Sequence, residues 1–155
     1  MASELSSDVT RAKRIVFQLL KFRARSHKEI VDRLRQKKLS KEAIDKTIDY
    51  FDKLNLICDK EFASSWLNSR LKKPLGLRMI TFELKQKGIS QDIIEETKES
   101  IKDNYNEYAV VSELAKEKFK KFKGIDSNKT KNRIYSYLMR RGFSPDVVNE
   151  VMEEL

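Results

Sequence analysis

Apolar and polar positions alternate along this chain in a pattern that returns three times. "RLRQKKLS" (Arg33 to Ser40), "ELKQKGIS" (Glu83 to Ser90) and "YLMRRGFS" (Tyr137 to Ser144) follow one another at offsets of 50 and 54 residues. In each copy an isoleucine precedes a leucine by four positions: Ile30 and Leu34, Ile80 and Leu84, Ile134 and Leu138. That spacing puts both on one face of a helix. A turn follows, with Lys38, Gly88 and Gly142 at the position just past the helix end and Leu39, Ile89 and Phe143 as the apolar contact behind it. Ser40, Ser90 and Ser144 then stand where a helix N-cap is expected, with Glu42, Asp92 and Asp146 in the first turn. Pro145 suits the first position of the helix it opens. The helices that follow carry Ile44, Ile48 and Phe51 in the first copy, and Val147 or Val148, Val151 and Leu155 in the third.

A further helix precedes each pair. In the first copy it runs through "RAKRIVFQLLKF", where Ala12, Ile15, Val16, Leu19 and Leu20 mark one face; the later copies offer "EFASSWLNSRL" and "YAVVSELAKEKFKKF". "SHKE" (Ser26 to Glu29) reads as a capping box at the second helix of the first copy, and Gly76 and Thr130 take the place of Ser26 afterwards. The chain is therefore expected to be all-α, three tandem three-helix repeats over residues 1–57, 58–104 and 105–155. Units this short bury little surface alone, so stacking into an elongated, curved array is expected.

Composition supports the helical reading. Of 155 residues, 39% are apolar and 37% charged, with only two prolines and four glycines to make turns. No apolar run reaches the roughly 18 residues of a membrane span, and "MASELSSDVT" lacks the basic and apolar segments of a signal peptide. One cysteine, Cys58, excludes an internal disulfide framework and reads as a packed or half-buried thiol. A cytoplasmic protein, without membrane partner, is expected. His27, the one histidine, sits at a helix start and reads as an exposed helix residue rather than a catalyst. There is no metal-ligand spacing and no glycine-rich phosphate loop, so neither enzyme activity nor a cofactor is expected.

The charge is more suggestive. Lysine and arginine number 33 against 24 acids, a formal charge of +9, which suits nucleic acid or an acidic protein surface. Between Lys116 and Arg133 eight basic residues accompany two acidic ones. There "KFKKFKG" interleaves Phe119 and Phe122 with Lys118, Lys120, Lys121 and Lys123. It resembles a single-strand stacking platform, but two phenylalanines three apart form one helix face and are assigned to the core, leaving the lysines as contacts. Lys37, Lys87 and Arg141 occupy one equivalent position per repeat. They form either a stripe for a linear polyanion or cations complementing helix C-termini. Arg33, Arg35, Lys85 and Arg140 thicken the column, as do Lys72, Lys73 and Arg78. Charge reversal at Lys87 and Arg141 is expected to weaken binding without changing the melting. Groove readout by a helix-turn-helix is disfavoured, because the candidate recognition helices open on acids.

"LNLICDKEFASSWLNSR" (Leu54 to Arg70) followed by "LGLRMITFELKQKGIS" resembles the central signature of the RecX regulatory proteins. Asp59, Phe62, Ala63, Trp66 and Arg70 match its first part; Gly76, Ile80, Glu83, Leu84, Lys87, Gly88 and Ile89 match its second. "RRGFS" and "RSHKEIVDRL" resemble the flanking repeats, and Cys58 departs from the aspartate usual in the family. The resemblance implies a three-repeat helical protein that binds the RecA recombinase–DNA filament and suppresses ATP hydrolysis and strand exchange in recombination and repair. It implies the RecA filament as partner, with single- or double-stranded DNA reached through the filament, and a monomer. The filament- or DNA-binding residues expected are Lys37, Lys73, Arg78, Lys87, Lys120, Lys121, Lys123, Arg140 and Arg141. Asp59, Phe62, Trp66, Gly76 and Gly88 are expected to determine the fold instead. The alternative is a helical protein that binds DNA by itself, which steep salt dependence without recombinase would reveal.

Overall fold

The computed structural model describes residues 2–155. Its described residues form nine helices and no strand: α1 (Ala2–Phe22), α2 (His27–Gln36), α3 (Lys41–Lys53), α4 (Asp59–Leu71), α5 (Leu77–Gln86), α6 (Gln91–Ser100), α7 (Glu107–Lys121), α8 (Ser127–Arg140) and α9 (Pro145–Glu154). None of them is long and apolar enough to cross a membrane. The helices divide three to a repeat, as the periodicity predicts. Two compact units are formed, one from residues 2–65 and 85–93, the other from 66–84 and 94–155, so the middle repeat's residues are shared between them.

The helix ends follow the sequence closely. The capping box at Ser26 is complete: its hydroxyl accepts from the Glu29 amide and the Glu29 side chain accepts from the Ser26 amide. Ser40 and Ser90 accept from the amides of Ala43 and Ile93. Ser144 differs, since its side chain makes no cap bond and Pro145 alone marks the start of α9. Lys38, Gly88 and Gly142 all take positive φ, at 61°, 79° and 84°. Behind two of them the turn closes in the same way, with Leu39 N donating to Leu34 O and Phe143 N to Leu138 O. Two boundaries differ from expectation. The first helix begins near the start of the described chain rather than at Arg11, and α8 begins at Ser127, capped by the Asp126 carboxylate. Thr130 therefore lies one turn inside α8, buried, with no partner for its hydroxyl.

In the first unit Ala12 and Val16 of α1 pack with Ile30 and Leu34 of α2 and with Ile44 and Phe51 of α3. The other unit repeats this with Val111 and Ala115 of α7, Ile134 and Leu138 of α8, and Val148 and Val151 of α9. In each case the first and third helices pack on one another and both touch the second. Phe119 and Phe122 do not join this core, contrary to expectation: Phe119 is 36% exposed and Phe122 half-buried. The apolar face of α7 is used at Val111 and Ala115, and its last turn carries the phenylalanines past that packed region.

Candidate functional site

Lys37, Lys87 and Arg141 share a sequence position but not an environment. Each stands at the C-terminal end of a middle helix, where the last carbonyls lack intrahelical donors. In the first unit the Lys87 carbonyl accepts from the Ser26 hydroxyl at 2.7 Å, and the Lys87 ammonium lies 3.3 Å from Glu29 Oε2. The C-terminus of α5 thus meets the N-terminus of α2. The capping serine works twice, accepting from its own helix and donating across. Arg23 and Arg25 also reach Glu29, and burial, which would raise the Glu29 pKa, is outweighed by Arg23, Ser26 and Lys87, which hold it low.

The second unit makes the same join with main chain. Gly76, in the place of Ser26, donates its amide to Arg141 O at 2.9 Å, and Arg78 N donates to Gly142 O at 3.1 Å. Arg141 reaches across in turn, Nε donating to Pro74 O at 2.7 Å, with its guanidinium near the Tyr137 ring. The approach is close enough that a Cβ on Gly76 would lie 2.3 Å from Gly142 O. Lys37, in the first repeat, is exposed, and its carbonyl accepts from Arg11 of the same repeat. Arg141 is therefore engaged within the fold, so reversing its charge is expected to move the melting as well as any binding. The other expected contact residues, Lys73, Arg78, Lys120, Lys121, Lys123 and Arg140, are exposed.

Two residue clusters in the signature have structural tasks. Glu83 accepts from the Trp66 indole at 2.9 Å and from Arg70 through both Nε and a terminal nitrogen, a bidentate pair that fastens α4 to α5. His27 is half-buried rather than exposed: its Nδ1 lies 3.2 Å from Asp59 Oδ1 and its Nε2 2.7 Å from Asp52 Oδ1. The hydrogen bond to Asp59 is the main cause of a His27 pKa raised to about 9; burial opposes it and Asp52 assists. Asp59 also accepts the His27 amide at 3.0 Å and so helps cap α2. Cys58, half-buried, accepts the Phe62 amide through its carbonyl at the start of α4. Among the described residues no cluster of three or more histidines, cysteines or acids is placed to hold a metal.

Sequence reasoning singled out the cationic column but missed a cationic groove on each outer repeat. One lies between α1 and α2 and includes Arg11, Arg14, Arg33 and Lys37. The other lies between α7 and α8 and includes Lys118, Arg133 and Arg140. Composition signalled cations there, but only packing reveals which line a concavity.

Comparison with known proteins agrees with this architecture repeat by repeat. Residues 12–51, 59–97 and 106–152 match the first, second and third three-helix domains of RecX. A regulatory protein RecX from Chlorobium phaeobacteroides is 38% identical over 150 residues, 96% of each chain. One from Clostridium botulinum Alaska E43 is 34% identical over 133 residues, 84% of this chain but 61% of the relative. The crystal structure of RecX from Lactobacillus salivarius superposes with a TM-score of 0.81 over 97% of each chain at 23% identity, a likeness of fold. With all three repeats matched in order, the chain belongs to the RecX family of regulatory proteins.

Proposed function

We propose that this chain is a non-enzymatic inhibitor of the RecA recombinase, binding the RecA–DNA filament and suppressing its ATP hydrolysis and strand exchange. The observation that carries the reading is family membership across all three repeats. The surface agrees with it: a formal charge of +9 and exposed cations at Lys37, Lys73, Arg78, Lys120, Lys121, Lys123 and Arg140 suit a polyanionic assembly. Lys87 is paired with Glu29, whereas Arg141 bonds a carbonyl and, among the described residues, no acid. Inhibition requires that the chain bind one filament state more tightly than another, since equal affinity shifts nothing. Several weak contacts presented by one chain suffice through avidity.

The test is recombinase ATP hydrolysis on single-stranded DNA, titrated with the full chain at near-physiological salt. Inhibition well below one molecule per recombinase subunit is expected, with interference at growing filament ends. Unchanged hydrolysis at stoichiometric amounts would overturn the reading.

A further inference from the structure

We propose that the groove between the first and second helices of the outer repeats is a binding site for single-stranded nucleic acid. This deepens the filament reading by giving the chain a strand contact of its own, and an assay with bare strand separates the two. In the first repeat the groove encloses about 440 Å³. Four cations line it, Arg11, Arg14, Arg33 and Lys37, and no carboxylate does. Arg11 donates to the Lys37 carbonyl and Arg33 to the Gln36 side chain, so none of the four is neutralised by an acid. The floor is Ile15 and Leu19, and at its end Phe22 projects with 86% of its surface exposed. A phenylalanine in that state contributes little to folding and offers a flat, uncovered π-face.

The third repeat builds the same combination from different residues. Its groove, about 460 Å³, is lined by Lys118, Phe122, Arg133, Tyr137 and Arg140, again without an acid. Lys118 lies 3.9 Å from the centre of the Tyr137 ring and Arg133 5.8 Å from that of Phe122. Cations held over rings stay charged, whereas cations held by carboxylates do not add to the field. The remaining walls are polar, Asn132 and Ser136. What the two grooves share is unneutralised cations beside aromatic faces. A single strand uses both, phosphates on cations and bases on rings, in a manner tolerant of sequence.

The middle repeat supplies the contrast. The residue directly before the conserved-pattern leucine is Arg33 in the first groove and Tyr137 in the third, and in the middle repeat it is Glu83. Glu83 is held by Arg70 and Trp66, so an acid, an arginine and an aromatic side chain satisfy one another at that position.

The test is fluorescence anisotropy of a labelled oligothymidylate with the full chain and no recombinase, over a range of salt. Arg14→Glu with Arg33→Glu, and separately Lys118→Glu with Arg133→Glu, are each expected to weaken binding at least ~10-fold. Each should also flatten the log–log salt slope by about 1.4, two phosphate contacts on a single strand. Phe22→Ala is expected to weaken binding ~5-fold or more without changing the melting. Lys46→Glu with Lys53→Glu on α3 changes the net charge equally and is expected to leave affinity within ~2-fold. Should either reversal unfold the chain, the matching glutamine variants carry the same comparison with a smaller slope change. Equal weakening by the α3 control, or wild-type affinity in both groove variants, would overturn the site. Groove variants that keep strand affinity but lose binding to the recombinase would assign the grooves to an acidic protein instead and overturn the nucleic-acid reading. In that case the filament reading would stand.

Discussion

Gly76 and Gly142 allow the join in the second unit to be tested one physical cause at a time. Gly76→Ala adds no left-handed strain, because its φ is not positive. It adds only a Cβ, which would lie 2.3 Å from Gly142 O, 2.4 Å from Gly142 C and 2.5 Å from Phe143 Cα. All three are backbone atoms that no rotamer change can move, so the helix ends must part by about an ångström to restore van der Waals contact. That stretches or breaks two bonds, Gly76 N to Arg141 O and Arg78 N to Gly142 O. A buried donor or acceptor left unpaired costs about 1–3 kcal/mol, so Gly76→Ala is expected to destabilise by about 2–5 kcal/mol. Lys38→Gly isolates the other cause. Lys38 holds φ 61° at an exposed position. Relief of about 1–2 kcal/mol of left-handed strain, less about 0.5–1 for glycine's entropy, predicts a gain of up to ~1.5 kcal/mol. Gly142→Ala combines both causes, with φ 84° and a Cβ 2.5 Å from Met79 N, and should be the worst of the three. Urea unfolding followed by circular dichroism reads the totals, and amide exchange at Gly76 and Arg78 reads the join. Stability within ~0.5 kcal/mol of wild type for Gly76→Ala, with unchanged exchange at Gly76, would refute the close approach.

Further outcomes follow from side chains already described. His27 has a folded pKa of about 9, above its ordinary 6.5, so the stability it contributes is complete below about pH 6.5 and lost as pH rises through 9. Screening at this half-exposed site leaves about 1 kcal/mol, and His27→Gln should flatten the pH profile of unfolding across that window. Asp59 titrates the other way: burial alone would raise its pKa, but the His27 ring and amide hold it low, so its contribution is present at neutral pH and lost in acid. Glu83→Ala removes the bonds to Arg70 and to the Trp66 indole and should cost about 2–4 kcal/mol, with a shift in Trp66 fluorescence; an unshifted spectrum would contradict the bond. Ser26→Ala removes a cap and leaves the Lys87 carbonyl without its cross-helix donor, an expected loss of about 1–3 kcal/mol in thermal or urea unfolding.

The helices were legible because their signals are local. An isoleucine and a leucine four apart, a residue of positive φ and a serine cap lie within a dozen positions, and each repeat writes them afresh. What escaped depends on pairs distant in sequence. Ser26 and Lys87 are 61 positions apart, Arg141 and Pro74 67, and His27 and Asp59 32. No periodicity announces such pairs. The phenylalanines of α7 failed for a related reason: a three-residue spacing says that two side chains share a face, but not whether another helix extends far enough to cover it. Trp66, Arg70 and Glu83 stood out by family resemblance, and only geometry reveals that they answer one another.

Equal sequence positions in tandem repeats need not have equal tasks. Lys38, Gly88 and Gly142 all need the left-handed backbone, yet only the later two lie against a neighbouring helix start: a Cβ on Gly88 would meet Lys28 Cβ at 2.5 Å, and one on Gly142 would meet Met79 Cβ at 2.4 Å. The first repeat has an exposed lysine at that position. The same reasoning divides the cationic column. Lys87 and Arg141 stand at joins and give part of their bonding capacity to Glu29 and Pro74, while Lys37 has no such neighbour and lines an open groove. A cation is best able to meet an outside anion where the fold makes no demand on it. By that criterion the polyanion contacts of this chain belong to Lys37 and its groove companions Arg14 and Arg33 before Lys87 or Arg141. Reversing Arg14 and Arg33 should therefore separate binding from stability more cleanly than any change at the joins.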